Sequence, residues 1–166
     1  YDIFGHMMRP PASLRLEQVL KIAHRRGVPV MLDIAGELPP AENLTRFPAT
    51  GVDLTVFSGG KGLMGPQGAG LILGRRDLID AVTANGNPNY GIGRAMKVDK
   101  EEMVGMVRAV ELYVTRDHEA DRRRWAAQVQ YIADHLSGIP GFDVFVEPAT
   151  PHGRPIPQLY VRWDQR

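Results

Sequence analysis

Apolar positions recur along the chain with two different periods, and the change of period divides it. Leu16, Val19, Leu20 and Ala23 fall three or four apart, with Lys21, Arg25 and Arg26 mostly on the other side. That spacing predicts a helix over 14–26 stopped by Gly27. Val28-Pro29-Val30-Met31-Leu32 is continuously apolar and ends in Asp33, the pattern of a strand covered on both faces. A loop over 34–51, bracketed by Pro39, Pro40 and Pro48, holds a short helix near 41–47. Val52 to Phe57 is a second strand, closed by Ser58-Gly59-Gly60-Lys61-Gly62. After the turn Gly65-Pro66-Gln67-Gly68 a third strand follows over 69–74, soon enough for an antiparallel pairing with the second. A helix over 75–84 and a polar, glycine-rich loop over 85–94 come next.

Beyond that loop the pattern turns helical. Met103, Val107, Val110 and Val114 mark one buried face, and Trp125, Val129, Ile132 and Leu136 mark another. The chain then alternates through Phe142-Asp143-Val144-Phe145-Val146, crosses a loop from Pro148 to Pro157, and ends in a strand over 158–163. Helix, short turn and apolar strand in this order make an α/β domain. The later elements form a second, smaller α+β domain, with the boundary expected between 116 and 117. The first residue is Tyr1 rather than Met, and the last strand has barely finished at the end. We therefore expect a piece of a longer protein.

Composition narrows the chemistry more than the fold. With 166 residues, 43% hydrophobic and 23% charged, the chain is long enough for a real core. Its 20 Lys+Arg and 19 Asp+Glu nearly cancel, which argues against a nucleic-acid partner or an anionic membrane surface. The absence of cysteine excludes disulfides, thiolate metal sites and cysteine nucleophiles. No apolar run is long enough to span a bilayer, and a cytoplasmic protein is expected.

Three residues stand where open α/β sheets place ligands, at the ends of strands. Lys61 lies on a glycine turn. A lysine amine attacks a carbonyl only when neutral, which burial or a neighbouring cation would favour. Asp33 ends the preceding strand and reaches the same rim. The Ser58 hydroxyl and the amides of Gly59 and Gly60 offer an anion nest. Lys61 and Asp33 have plain alternatives: a surface lysine in a glycine-rich loop, and a helix cap or turn former. A Walker loop fails because Gly62 follows Lys61 where Ser or Thr is required. A nucleophilic serine fails because G-x-S-x-G is absent. Arg94 suits a carboxylate or phosphate through its planar fork, with an interdomain salt bridge or a helix cap as the alternative. Gln67 and Glu37 are weaker loop candidates. His118, His135 and His152 share no metal spacing, so no metal is expected. Arg122-Arg123-Arg124 reads as a solvated or ion-paired helix face, since no aromatic residues interleave it.

The order strand–Asp33–Ile34–Ala35, strand–Ser58–Gly59–Gly60–Lys61, glycine turn, Gly70-Leu71-Ile72-Leu73 resembles the fold type I pyridoxal-phosphate enzymes, the aspartate aminotransferase superfamily. Arg94-Ala95-Met96-Lys97-Val98-Asp99-Lys100 before an apolar helix resembles the selenocysteine synthase (L-seryl-tRNA(Sec) selenium transferase) group. Leu38-Pro39-Pro40 and Gly65-Pro66-Gln67-Gly68 look more like its tRNA-independent relatives, which include D-glucosaminate-6-phosphate ammonia-lyase. The resemblance covers roughly residues 13–116. It implies the C-terminal part of a three-layer large domain, a mostly parallel sheet with helices on both faces, over 1–116. A connecting helix and the start of the small domain would follow over 117–166. It implies pyridoxal 5'-phosphate bound through a Lys61 Schiff base, with Asp33 at the pyridine nitrogen and Ala35 against the ring. Ser58 and Gly60 would lie at the phosphate, and Arg94 at the substrate, in its own site or a partner subunit's. The family's glycine-rich phosphate cup and its ring-stacking residue would lie upstream of residue 1.

The expected reaction is α,β-elimination of the ammonia-lyase type on an amino acid or amino sugar acid, in a homodimer or higher homo-oligomer. The alternatives are β-replacement on a seryl-tRNA, an aminotransferase or racemase of the same fold, and a non-catalytic fragment.

Overall fold

The structure, a computed structural model, describes residues 14–149 and 156–163. Ser13 and the loops around His6 and His152 lie outside the described residues. The chain divides into two compact units, one up to Thr115 and one from Arg116.

In the first unit, α1 (Leu16–His24) leads into β1 (Met31–Asp33). The short α2 (Asn43–Arg46) and a 3-10 turn (Pro48–Thr50) precede β2 (Leu54–Ser58) and β3 (Gly70–Gly74). Then come α3 (Arg76–Asn85), a second 3-10 turn (Ile92–Met96) and α4 (Lys100–Thr115). The sheet order is β1-β2-β3. β1 runs parallel to β2 with Asp33 opposite Val56, and β3 runs antiparallel to β2 with Gly70 opposite Ser58. The α/β class and the antiparallel return of the third strand follow the sequence pattern.

Alternation along β2 divides the sheet's two faces. Thr55 and Phe57 point to one, with relative exposures of 0% and 1%. Phe57 joins Ile34, Leu38, Phe47, Leu63, Met106 and Tyr113 in one buried cluster. The register puts Asp33, Val56 and Ser58 on the opposite face. That face is less covered, with Met31 and Ile72 exposed.

Two local expectations are corrected. The first strand begins at Met31 rather than Val28, because the Val30 N–H donates to the Asp53 carboxylate at 2.6 Å instead of to a ladder. On α4 the buried stripe is Met106, Ala109 and Tyr113, while Met103, Val107 and Val114 stay exposed. The helix carries two adjacent apolar stripes, and periodicity alone does not say which one meets the sheet.

In the second unit α5 (His118–Leu136) is followed by β4 (Phe142–Glu147) and β5 (Gln158–Trp163), an antiparallel pair with Phe142 opposite Trp163. Asp117 caps α5, accepting from the Ala120 N–H at 2.9 Å. Phe145 and Tyr160 stack with centroids 4.6 Å apart. Each residue of the arginine run is paired locally: Arg122 with Glu119, Arg123 with Asp117 and Glu119, Arg124 with the buried Asp121.

Candidate active site

Two parallel strands that end side by side deliver their last residues to one rim. Asp33 and Ser58 close β1 and β2, and by register their side chains share one face of the sheet. Asp33 folds back on its own chain, with Oδ1 accepting from the Ala35 N–H at 3.0 Å. Its second oxygen has no partner among the described residues. Ala35 is half-buried directly after this turn.

The turn after Ser58 is shaped by close backbone approach. A Cβ built on Gly59 would stand 2.6 Å from the Ala69 carbonyl oxygen and 2.7 Å from that of Pro66. One on Gly60 would meet Gln67 at 3.0 Å, and one on Gly62 would meet the Leu38 Cβ at 2.6 Å. Side chains at these positions would force the turn apart. The Gly59 N–H is already used, donating to the Ala69 carbonyl at 2.9 Å, and the Gly65 N–H returns to the Gly59 carbonyl at 2.8 Å. Gly59 therefore leaves the expected anion nest, because its amide extends the β2–β3 ladder into the turn. Among the described residues the amides of Gly60, Lys61 and Gly62 have no hydrogen-bond partner.

Lys61 itself is exposed, so this chain's own packing does not supply the burial that would favour a neutral amine. Its amine has no ion-pair partner among the described residues. Arg94 is not brought to this rim by any contact: it donates to Asn87 Oδ1 at 3.1 Å and to the Pro88 carbonyl at 2.7 Å, and lies 4.6 Å over the Tyr90 ring. All of these partners are in its own loop. Gln67 lies against Gly60. Glu37 contributes its carbonyl to Asn43. No cluster of three or more metal-ligating residues occurs among the described residues. His135 sits beside Tyr131, its Nδ1 2.7 Å from that residue's carbonyl. An apolar groove of about 500 Å³ between β3 and α4 is lined by Ala69, Leu71, Val98, Met106 and Val110 among others, not by Asp33, Ser58 or Lys61.

Two residues escaped the sequence reading. Asp53, only 4% exposed, accepts from the Val30 N–H, from Arg75 Nη1 at 2.7 Å, and pairs with His24 Nε2 at 2.8 Å. These bonds hold its carboxyl down at about 2, the Val30 amide first among them. It ties α1, β1, β2 and the start of α3 together at the end of the sheet opposite Lys61. Asn43, 2% exposed, donates from Nδ2 to the Glu37 carbonyl at 2.6 Å. A polar residue inside an apolar run, Asp53 between Val52 and Leu54, was the available signal.

Asp33 and Ser58 stand at the carboxyl rim of two parallel strands, the place where open α/β sheets bind their ligands. The family model for L-seryl-tRNA selenium transferase matches residues 1–134, and the chain belongs to that family. It is similar to the D-glucosaminate-6-phosphate ammonia lyase of Salmonella typhimurium (strain 14028s / SGSC 2262). The two are 35% identical over 158 residues, 95% of this chain and 39% of that protein. It is also similar to the 5'-C-glycyluridine monooxygenase-decarboxylase of Streptomyces sp, 36% identical over 126 residues, 76% of this chain and 30% of that protein. A solved structure of D-glucosaminate-6-phosphate ammonia-lyase superposes with a TM-score of 0.71 at 31% identity, over 96% of this chain and 40% of that one. The chain thus spans about two fifths of the ammonia lyase it matches.

Pyridoxal phosphate is the cofactor of this family. The donor set fits it: an amine without an ion-pair partner, a carboxylate with a free oxygen one strand away, and open amides in a turn where Gly60 and Gly62 have no room for a Cβ. No helix among the described residues is long and apolar enough to cross a membrane.

Proposed function

We propose that this chain supplies one wall of the active site of a pyridoxal-phosphate lyase acting on an amino acid or amino sugar acid. The observation that carries the reading is the shared rim of Asp33, Ser58 and the Lys61 turn. Similarity to the ammonia lyase over nearly the whole chain supports elimination as the reaction class. Bound pyridoxal phosphate would supply an electron sink for a carbanion at the substrate's α-carbon.

The chain's own residues would do the rest. The Lys61 amine would hold the cofactor, and its Nζ, when free, would take the substrate's α-proton. The Asp33 carboxylate keeps a proton on the pyridine nitrogen. Ala35 would be the small residue beside the ring. The Ser58 hydroxyl and the Gly60 amide bind the phosphate oxygens. Arg94 holds an acidic group of the substrate. The β-substituent would leave with the electron pair of the broken Cα–H bond, and water would hydrolyse the resulting enamine to ammonia and a 2-oxo acid. The working protein would be a cytoplasmic homodimer or higher homo-oligomer.

The test is release of ammonia and a 2-oxo acid from a panel of β-hydroxylated amino acids and amino sugar acids, using the protein at its natural length. Activity that survives Lys61→Ala would refute the assignment. The second reading is β-replacement on a seryl-tRNA, favoured by the family match itself. Against it stand the near-neutral charge and the local pairing of Arg122, Arg123 and Arg124. A tRNA affinity that falls steeply with salt would favour it.

A further inference from the structure

Asn43 sits at the start of α2, at one end of a chain of contacts that reaches the Lys61 turn. Its Nδ2 donates to the Glu37 carbonyl at 2.6 Å and closes the loop between them. Within that loop, Glu37 is tied back to the strand end, its N–H donating to the Ile34 carbonyl at 3.0 Å. Ile34 continues the sheet, donating to the Val56 carbonyl at 2.9 Å. Leu38, 7% exposed, is the next residue, and its backbone and Cβ lie against Gly62 so closely that no side chain fits there. Gly62 adjoins Lys61. One buried amide therefore braces the segment leaving Asp33 against the turn carrying Lys61.

The other half of that amide sharpens the point. Asn43 Oδ1 is buried without a hydrogen-bond partner among the described residues. Burying an unpaired carbonyl is costly, and an aliphatic residue of similar size would avoid the cost. What the amide adds here is the single bond to Glu37.

We infer that Asn43 is a positioning residue: through Glu37, Leu38 and Gly62 it fixes the place of Lys61 relative to Asp33. The inference rests on the reading that Lys61 carries the cofactor. Small displacements of a reacting group from its productive geometry are costly, so the loss shows in cofactor binding before any change in overall fold.

The experiment titrates pyridoxal phosphate into the cofactor-free protein at its natural length, for wild type, Asn43→Ala, Asn43→Asp and Thr45→Ala. Asn43→Asp keeps the volume and removes the donor, and Thr45 lies exposed on the same short helix. Both Asn43 variants are expected to bind about tenfold or more weakly, as loss of a buried hydrogen bond implies, with Thr45→Ala unchanged. The pH midpoint of the bound cofactor's visible absorption is expected to move in the Asn43 variants, which a purely structural role would leave in place. Should those variants not fold, Gly62→Ala strains the same brace from the other side and is expected to weaken binding likewise. Wild-type affinity and an unmoved pH midpoint in Asn43→Asp, or wild-type affinity in Gly62→Ala, overturn the inference. Borohydride reduction of the wild type separates the two readings. Label away from Lys61 defeats the cofactor assignment, whereas label on Lys61 with unaltered variants defeats only the role of Asn43.

Discussion

Asp53→Asn removes the charge from the one carboxylate that holds four elements together, and its cost is calculable. The folded carboxyl titrates at about 2 against an ordinary 3.8. At about 1.4 kcal/mol per tenfold change in proton affinity, that difference corresponds to about 2.5 kcal/mol of stability. His24 and Arg75 are 43% and 55% exposed, so water screens both pairs, and about 1.5 kcal/mol is the expected share at pH 7. The unfolded chain takes up the proton first as pH falls. The stabilisation is therefore complete above about pH 4 and is lost as pH drops toward 2. The asparagine amide would also turn an N–H toward one of the three donors, adding a loss that does not vary with pH. Urea denaturation of wild type and variant at a series of pH values is the assay. The gap is expected to be at least about 1.5 kcal/mol at pH 7, with its pH-dependent part roughly halved by pH 3. A variant within about 0.5 kcal/mol of wild type at pH 7, or a gap that stays flat down to pH 3, would refute the reasoning.

The remaining predictions concern the turn, the core and the surface. Gly59→Ala places a Cβ 2.6 Å from the Ala69 carbonyl oxygen and is expected to lower stability by about 2 kcal/mol or more in the same denaturation assay. Phe57→Ala empties the most buried aromatic position among the described residues, 1% exposed, at an expected cost of about 3–5 kcal/mol. Arg123→Ala breaks two long, exposed ion pairs and is expected to shift stability by less than about 0.5 kcal/mol.

What the sequence carried was local. The end of each parallel strand was legible because a largely apolar run stopped at a polar residue, at Asp33 after Leu32 and at Ser58 after Val56-Phe57. The antiparallel return was legible because only a short turn separates β2 from β3. Three things were not. The Asp53 hub draws its donors from positions 22, 23 and 29 residues away, and no local pattern encodes such a contact. The two apolar stripes of α4 are equally periodic, and only docking against Phe57 selects Met106 and Tyr113. The brace from Asn43 to Gly62 runs through backbone carbonyls, which every residue possesses. Gly59 shows the same limit, since its sequence suits an anion nest but its amide is spent on Ala69.

Lys61 is the residue on which the proposed site turns. The protein at its natural length, loaded with pyridoxal phosphate and reduced with borohydride, should yield one labelled peptide containing Lys61, and Lys61→Ala should yield none. Label on another lysine, or undiminished label in Lys61→Ala, would contradict the account.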